Sequence, residues 1–389
     1  MNEQTKTAQH GLSEHSHGAG APIQIRSARV RSADVNDFEQ VTQREEQWRY
    51  LSADRLAGLD ADELAEFVGD LEVSHSGDVT TAWVGDDHAA FGGAGIPEER
   101  PSAAAWSSAK QAYLVTLPGS QKSEVQIALS SESAEPSAIH LIIDAKPFAE
   151  STVILDHKGR AILGENVEII VGDEAQLTVI SIQDWDDTSV HASTQMARLG
   201  RNSKLKHLVV SLGGKVVRVA SSTEFTQPGG DTEMLGLYFA DAGQYLENRL
   251  YVDHAVPNCK SRVTYKGALQ GDKAHTVWVG DVLIRMAAEG TDTYELNRNL
   301  LLTDGARADS VPNLEIETGK IEGAGHASAS GRFDDEQLFY LQARGIPELE
   351  ARRLVVRGFL NEIIQQIDNE QIRERLSNSI ESELARSGS

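Results

Sequence analysis

The feature that most constrains the fold is a stretch at 112–316 in which short β-rich runs follow one another without a long helical pattern. Gly, Asp, Asn or Ser stand in nearly every gap, as expected for strands joined by tight turns. The stretch therefore predicts a mainly β fold. The runs lie at 113–117, 125–129, 139–143, 153–155, 167–171, 177–182, 205–210, 216–219, 234–239, 249–252, 262–265, 276–279 and 282–285.

Similar turn sequences recur within this stretch, each with a turn, a small residue and then a strand-like run. They begin at Gly164, Gly172, Gly200, Gly271 and Thr303. Several steps fall near about 30 residues, and imperfect repetition of one unit is typical of stacked coils that cover one another's apolar faces. The pattern favours a β-helix over a sandwich, and a large jelly roll is the alternative.

Helical patterns flank the β-rich stretch. From Asp34 to about Asp70, apolar residues such as Phe38, Val41 and Trp48 recur at near-helical spacing. Residues 71–108 are mixed and rich in loops.

After Gly331 the pattern is again helical, with Asp334 and Gln337 in a capping-box arrangement before a helix at 335–344. Gly345 and Pro347 then predict a stop and a restart. Two further helices follow, the first from Pro347 to about Ile367. Their apolar residues recur at a spacing of four: Val355, Phe359 and Ile363, then Ile372, Leu376, Ile380 and Leu384. These stripes pack on each other and on the β-core, or one of them is a partner surface.

We therefore predict four parts: a disordered tail at 1–22, a helical or mixed domain at 23–108, a β-helix core at 109–330 and a helical domain at 331–389. The tail carries His10, His15 and His17, for which a metal-binding role is the alternative to disorder.

The chain has 389 residues and a net charge of −23, from 36 Lys and Arg against 59 Asp and Glu. This charge repels phosphate backbones, which argues against nucleic acid as a partner. One cysteine, no signal-peptide pattern and no run of about 18 apolar residues predict a cytoplasmic protein without a membrane span.

No sequence motif marks a catalytic or phosphate-binding site. GxSxG, HExxH and GxxxxGK[ST] are all missing, and the glycine-rich segment at 91–97 lacks the third glycine of a dinucleotide fingerprint, so we interpret it as a loop. One cysteine cannot supply the thiolates of a structural zinc site or an iron–sulfur cluster. Any metal that the chain handles is therefore transient or shared with another chain.

His326 is the strongest candidate ligand, because small residues surround it in Gly323-Ala-Gly-His-Ala-Ser328 and leave its ring accessible. Neutral imidazole is a good iron ligand. A histidine that hydrogen-bonds a turn is the alternative. For Cys259, a lone buried thiol is the simplest interpretation.

Several segments resemble the SufB/SufD family of the SUF iron–sulfur cluster assembly system. The resemblance is to the SufD branch: the position that matches the essential cysteine of SufB is Ala306, and Ala327 follows His326 where SufB has a glutamate. The residues that carry it lie at 46–50, 261–267, 291–302, 311–316, 325–327, 335–347 and 357–359.

The resemblance implies a right-handed parallel β-helix between helical N- and C-terminal domains. It implies a scaffold without catalysis of its own, which pairs with SufB and binds the SufC ATPase through the C-terminal helices. The nascent cluster would form at the SufB interface with His326 as one ligand. ATP-driven movement of SufC would rearrange that interface. The residues predicted to contact SufC are Gln337, Phe339, Tyr340, Arg344 and Gly345.

The resemblance leaves open a reduced flavin in the complex, a visiting sulfur donor and a homodimer when SufB is absent. Many SufD proteins carry an acidic pair and a cysteine before the histidine, whereas here Gly319 and Lys320 replace the acids and the cysteine is missing. A carbohydrate-active β-helix enzyme and a purely structural β-solenoid are the two alternative functions.

Overall fold

The computed structural model describes residues 29–119, 121–333 and 335–386, so the predicted tail at 1–22 with its three histidines lies outside the described residues. Three short strands, β1 to β3, and one helix, α1, precede the core: Ala65–Glu66, Asp70–Ser76, Thr80–Val84 and Arg100–Ser108. Strands β4 to β17 follow in chain order: Ala112–Leu117, Lys122–Ala145, Glu150–Val171, Gln176–Trp185, Val190–Leu199, Lys204–Ser211, Val216–Phe225, Asp231–Ala240, Tyr245–His254, Lys260–Leu269, His275–Ile284, Asp292–Leu301, Arg307–Ile316 and Gly323–Arg332.

The long strand β6 pairs in parallel with both β7 and β8, and from β7 onward each strand pairs with the next strand but one. This pairing builds two ladders. The first half of β6 leads through β7, β9, β11, β13 and β15 to β17. The second half of β6 leads through β8, β10, β12 and β14 to β16. Two strands make one coil, and successive coils stack in register. The predicted parallel β-helix is confirmed.

Turns at the coil corners place one residue in the left-handed backbone region, as at Glu174, Asn202 and Lys273, with φ of 59°, 53° and 62°. The turn sequences that begin at Gly172, Gly200, Gly271 and Thr303 therefore mark real corners. The one at Gly164 was wrong, because Gly164 lies inside β6. A Cβ there would meet Ala105 of α1 at 3.0 Å, so this glycine allows close packing rather than a turn.

The N-terminal helical prediction for 34–70 is also wrong. The segment forms three 3-10 turns at Val35–Asp37, Glu46–Trp48 and Ala53–Leu56, followed by short strands. Its apolar spacing reflects burial of isolated anchors against the solenoid: Trp48, Leu51 and Leu56 are almost fully buried and pack with residues of β8, β10, β12 and β14. The loop-rich 71–108 segment holds α1 instead.

Glu168 of β6 binds the glycine-rich segment at 91–97, which forms the loop that its sequence predicts. Its carboxylate accepts the backbone N–H groups of Gly92 at 2.8 Å and Ala94 at 2.9 Å. A buried carboxylate of the chain thus uses the donors that a phosphate would need in a nucleotide site.

Three C-terminal helices, α2 at Asp335–Gln342, α3 at Glu348–Ile364 and α4 at Glu370–Arg386, confirm the predicted helical ending. Apolar side chains of α3 and α4 pack with the outward-facing side chains of the β7–β13 ladder, such as Ile180 and Leu208, while Val179 faces the solenoid core. Arg375 of α4 holds Asp156 of β6 through contacts of 2.7 and 2.8 Å. Among the described residues no helix is long and apolar enough to span a membrane.

Candidate functional site

The last coil of the solenoid is formed by β16 and β17, each of which pairs with a single strand among the described residues. Both strands therefore leave one edge of backbone N–H and C=O groups without a strand partner. Such an edge is a template for pairing with another chain.

His326 lies in β17 and stands in register with Glu295 of β15. Register partners in parallel strands place their side chains on the same face of the sheet. Because Glu295 is only 1% exposed and faces the solenoid interior, His326 stands over that interior at its open end, where its side chain is exposed.

Small neighbours keep the histidine uncrowded. A Cβ on Gly325 would meet ring carbons of Tyr294 at 3.2 Å, so glycine lets that ring lie against β17. The predicted accessibility of His326 is confirmed, and its role as a ligand stays a prediction. His326 belongs to a strand, and the alternative of a histidine that hydrogen-bonds a turn also stays a prediction.

Glu295 has an unusual environment for a carboxyl group. Both of its oxygens are buried without a hydrogen-bond partner. Burial, together with the negative charge of Asp281, raises the pKa of Glu295 to about 8. Its space depends on Gly280, because a Cβ there would lie 2.6 Å from Glu295 Oε1.

A layer of hydrogen-bonded polar side chains continues from Glu295 along the interior. Tyr238 Oη donates to Asn299 Oδ1 at 2.6 Å, and Asn297 Nδ2 donates to Tyr238 Oη at 2.8 Å. Asn299 Nδ2 contacts the hydroxyls of Ser310 and Ser330 at 3.0 and 3.1 Å. Hydrogen bonds therefore hold the polar side chains at this end of the solenoid interior in place, but none of these bonds reaches Glu295.

Comparison with known proteins identifies the family. The family model described as "SUF system FeS cluster assembly, SufBD core domain" matches residues 128–359. An iron-sulfur cluster assembly SufBD family protein of Mycobacterium bovis is 52% identical over 363 residues, covering 91% of each chain. The chain belongs to the SufBD family.

More distant members of the SufBD family support the SufD-like assignment. The iron-sulfur cluster assembly protein SufD of Escherichia coli is 27% identical over 239 residues, which cover 60% of this chain and 56% of SufD. A second SufBD family protein of Mycobacterium bovis is 28% identical over 204 residues, or 52% of this chain and 24% of that protein. The match favours cluster assembly over the carbohydrate-active and purely structural alternatives.

Three positions that the resemblance to SufB and SufD singles out, one as a difference from SufB and two as departures from many SufD proteins, lie near the open end. Ala306 is half-buried in the turn before β16 and packs against the main core. Lys320, which replaces an acid of many SufD proteins, is exposed and pairs with Glu289 at 2.8 Å, while Gly319 has open space around it. These two positions offer no carboxylate, so any acidic ligand here has to come from elsewhere.

The residues predicted to contact an ATPase lie in and after α2. Phe339 and Tyr340 are 71% and 56% exposed, and the guanidinium of Arg344 stands 4.4 Å from the centre of the Tyr340 ring. Gly345, with φ of 85°, ends the turn after the helix. Gln337 belongs to α2, but its side chain is outside the described part of the chain. These aromatic side chains form an exposed patch.

Cys259 is a buried thiol, as predicted. Its side chain is 1% exposed just before β13, and burial raises the pKa of the thiol. A protonated, inaccessible thiol is a poor nucleophile and a poor metal ligand. Cys259 is therefore part of the packing of the main core.

The raised pKa of the buried Glu295 carboxyl group predicts how the stability of the protein depends on pH. Its pKa lies above the ordinary 4.5, so the folded state holds a proton that the unfolded state releases as pH rises from about 4.5 to 8. The stability that the protonated carboxyl group contributes is fully present below about pH 4.5 and is lost as the pH rises from there through about 8. We expect Glu295→Gln to match the parent near pH 4.5 and to be more stable by on the order of a few kcal/mol above pH 8.

Urea unfolding between pH 4.5 and 9 measures this difference. Glu322→Gln, at an exposed glutamate of the segment that leads into β17, is the control and should leave the pH profile of the parent unchanged. A Glu295→Gln protein that is less stable than the parent at pH 9 would show that the carboxylate is satisfied in the folded state.

Proposed function

We propose that this chain is a non-catalytic scaffold subunit of iron–sulfur cluster assembly that pairs with SufB and contributes His326 to the site of the nascent cluster. One observation carries the proposal. The imidazole of His326 is exposed on the last coil of a SufBD solenoid, and the outer edge of that coil has no strand partner among the described residues. The cluster is the cargo of the complex, and the chain holds it only in passing.

The metal ligands that this chain can provide support a cluster site shared with another chain. A cluster normally takes thiolates as its main ligands, and the single cysteine of this chain is buried away from β17. His326 offers an exposed imidazole nitrogen as a donor. The thiolates would come from SufB.

The edges of β16 and β17 support pairing with a related solenoid. Their unpaired backbone groups suit the edge of another parallel coil, and a SufB solenoid would provide one. Mycobacterium bovis carries two SufBD family proteins with similarity to this chain, as a two-subunit scaffold requires. Without SufB, the same edges would serve a homodimer.

The exposed α2 patch supports docking of SufC. The patch, formed by Phe339, Tyr340 and Arg344, combines aromatic rings with a cation, which are side chains typical of interface hot spots. Nearby, Lys266 of β13 donates to the backbone carbonyl of Phe359 in α3 at 3.2 Å. Since β13 pairs with β15 and β15 with β17, a force on these helices would reach His326 through two strand pairings.

The setting we propose is the cytoplasm, with a sulfur-donor protein visiting the complex. A reduced flavin remains a candidate electron source for the assembled complex rather than for this chain alone.

Co-purification with SufB and SufC from the same organism, followed by anaerobic loading with iron and sulfide, tests the proposal. We expect a stable complex that gains iron, sulfide and visible cluster absorption, whereas this chain alone gains neither sulfide nor cluster absorption. A complex that forms but never loads a cluster would overturn the scaffold function, and failure to bind either protein would overturn the partner assignment.

Removal of the α2 patch should weaken SufC binding. We expect Phe339→Ala and Tyr340→Ala each to raise the Kd for SufC by about tenfold or more, as at an interface hot spot. Met286→Ala is the matched control, because Met286 is 65% exposed and lies on a solenoid turn instead of α2. Calorimetry measures the Kd of each variant for SufC. If all three variants bind SufC equally weakly, the SufC site does not lie on α2.

A further inference from the structure

A second group of metal-ligating side chains lies inside the solenoid, far along the ladder from β17. His157 and Glu165 belong to β6, and His191 belongs to β8. All three side chains are fully buried, and one ligating atom of each lies within 4.8 Å of the others. Two imidazoles and a carboxylate are the donors that first-row transition metals prefer in proteins.

The distances between these atoms suit ligands of one ion. His157 Nε2 lies 2.9 Å from Glu165 Oε1, and His191 Nε2 lies 3.5 Å from Glu165 Oε2. Donors about 2.1 Å from a metal are separated by about 3.0 Å in octahedral geometry and about 3.4 Å in tetrahedral geometry. The group therefore needs only small rotations to place an ion among its three donors.

The groups behind the donors orient them toward a common point. His157 Nδ1 donates to the backbone carbonyl of Ile182 at 3.0 Å, which leaves Nε2 to face Glu165. On the other ring, Nδ1 of His191 lies 2.6 Å from Gln183 Oε1 and 3.1 Å from Trp185 Nε1, so that nitrogen is occupied and Nε2 points at the carboxylate. Metal-binding histidines usually have their second nitrogen held in this way.

One donor makes no close hydrogen bond. His191 Nε2 is buried, and the acceptor that it faces, Glu165 Oε2, lies 3.5 Å away. Buried polar atoms are nearly always satisfied, so an unpartnered ring nitrogen beside two other donors is what a ligand would complete.

A second buried pair has the same residue types and also an unpartnered ring nitrogen, His140 Nδ1, but it lacks a third donor in the described part of the chain. His140 Nε2 lies 3.0 Å from Glu168 Oε1, a distance close to that of the first pair. Glu168 already accepts the N–H groups of Gly92 and Ala94, and the His140 ring packs against Phe91. No third ligand joins this pair among the residues that the structure describes.

We propose that His157, Glu165 and His191 bind one divalent transition-metal ion of the Fe(II) or Zn(II) class within the solenoid. The ion links β6 to β8 and enters while the coils close, because the folded site is shielded from solvent. Its role is to fix the first coils of the fold, so it is independent of cluster assembly at His326 and of SufB.

Metal binding by the full chain tests the proposal. To remove competing histidines, the background protein carries His10→Asn, His15→Asn, His17→Asn and His326→Ala. It is unfolded with chelator and refolded with Zn(II), with Co(II), or with Fe(II) under anaerobic conditions. We expect one tightly held equivalent of metal after desalting, visible ligand-field absorption for Co(II), and a higher thermal midpoint with metal than without.

Matched variants locate the ion. In this background, Glu165→Gln and His191→Gln should retain less than a tenth of the metal, while Glu168→Gln and His207→Gln should retain one equivalent. His207 is a suitable control because it is buried in the same interior and bonds Gln195 at 2.7 Å. A refolded parent that holds no metal from any of the three solutions overturns the proposal, as does a Glu165→Gln protein that holds as much as the parent.

The three metals distinguish the classes of ion. Preferential retention of Fe(II) over Zn(II) would assign an iron site, and the reverse would assign a structural zinc site. Either result supports the proposed ion, and neither depends on the outcome of cluster loading with SufB.

Discussion

Replacement of His326 by alanine is expected to reduce cluster loading of the complex with SufB and SufC to less than a tenth of that of the parent. The imidazole stands on the exposed last coil, where small neighbours leave it free to reach a partner surface. The site offers no exposed thiolate from this chain to replace it. Iron and sulfide bound per complex, together with visible absorption after anaerobic loading, measure the effect.

Two controls separate ligand loss from loss of assembly. His75→Ala removes another exposed strand histidine, on β2, and should load like the parent. Ser328→Ala truncates an exposed side chain two residues along the same strand and should also load normally. All complexes should elute at the same size. If His326→Ala loads and delivers clusters at the parental level, His326 is not a ligand.

The sequence predicted the β-helix where apolar residues mark the strands. It missed β8, because the interior-facing side chains of that strand include His191, Ser193 and Gln195. A buried polar interior removes the hydrophobic signal on which strand prediction depends. The same property hides the buried donor group, since His157, Glu165 and His191 are scattered along the chain and meet only through coil stacking.

β17 was missed for a different reason. Its residues, Gly323–Arg332, are small or polar and have low strand propensity, so backbone pairing with β15 is what makes the strand. The sequence identified His326 from these small neighbours. It did not identify Glu295, although β15 carries Thr293, Glu295, Asn297 and Asn299 at alternate positions, a polar interior face that could have pointed to it.

The N-terminal error shows the limit of spacing arguments. Val41 and Trp48 recur at a distance that a helix would also give, but Trp48 is an anchor on a 3-10 turn and Val41 lies outside such a turn. Their positions are set by the pockets that β8, β10 and β12 offer, which only the folded solenoid defines. Tertiary packing therefore decides the structure of this segment more than local propensity does.

A buried ion pair beside that N-terminal segment connects the residue before α1 to the solenoid. Arg218 of β10 is 1% exposed, and its Nη2 lies 2.8 Å from Glu99 Oε2 at the start of α1. Its Nε lies 3.5 Å from Glu247 of β12, and its guanidinium stands 4.2 Å from the centre of the Trp48 ring. Arg218 thus balances Glu99, shares Glu247 with Arg249, which lies 3.1 Å from it, and supports the main aromatic anchor.

Arg218→Ala is expected to destabilise the protein by about 3–5 kcal/mol, the range typical of a broken buried ion pair. Removing the guanidinium leaves Glu99 buried without its counter-ion and opens space under Trp48, whereas Glu247 keeps Arg249 at 3.1 Å. A shift of the urea midpoint and faster hydrogen exchange in the Glu46–Trp48 turn measure the loss.

Arg201→Ala is the matched control. Arg201 is 56% exposed and lies 3.2 Å from Asp173, so its removal should change stability by at most about 1 kcal/mol. Equal effects of the two substitutions would show that burial of Arg218 adds nothing, and that the N-terminal segment is held by its apolar anchors alone.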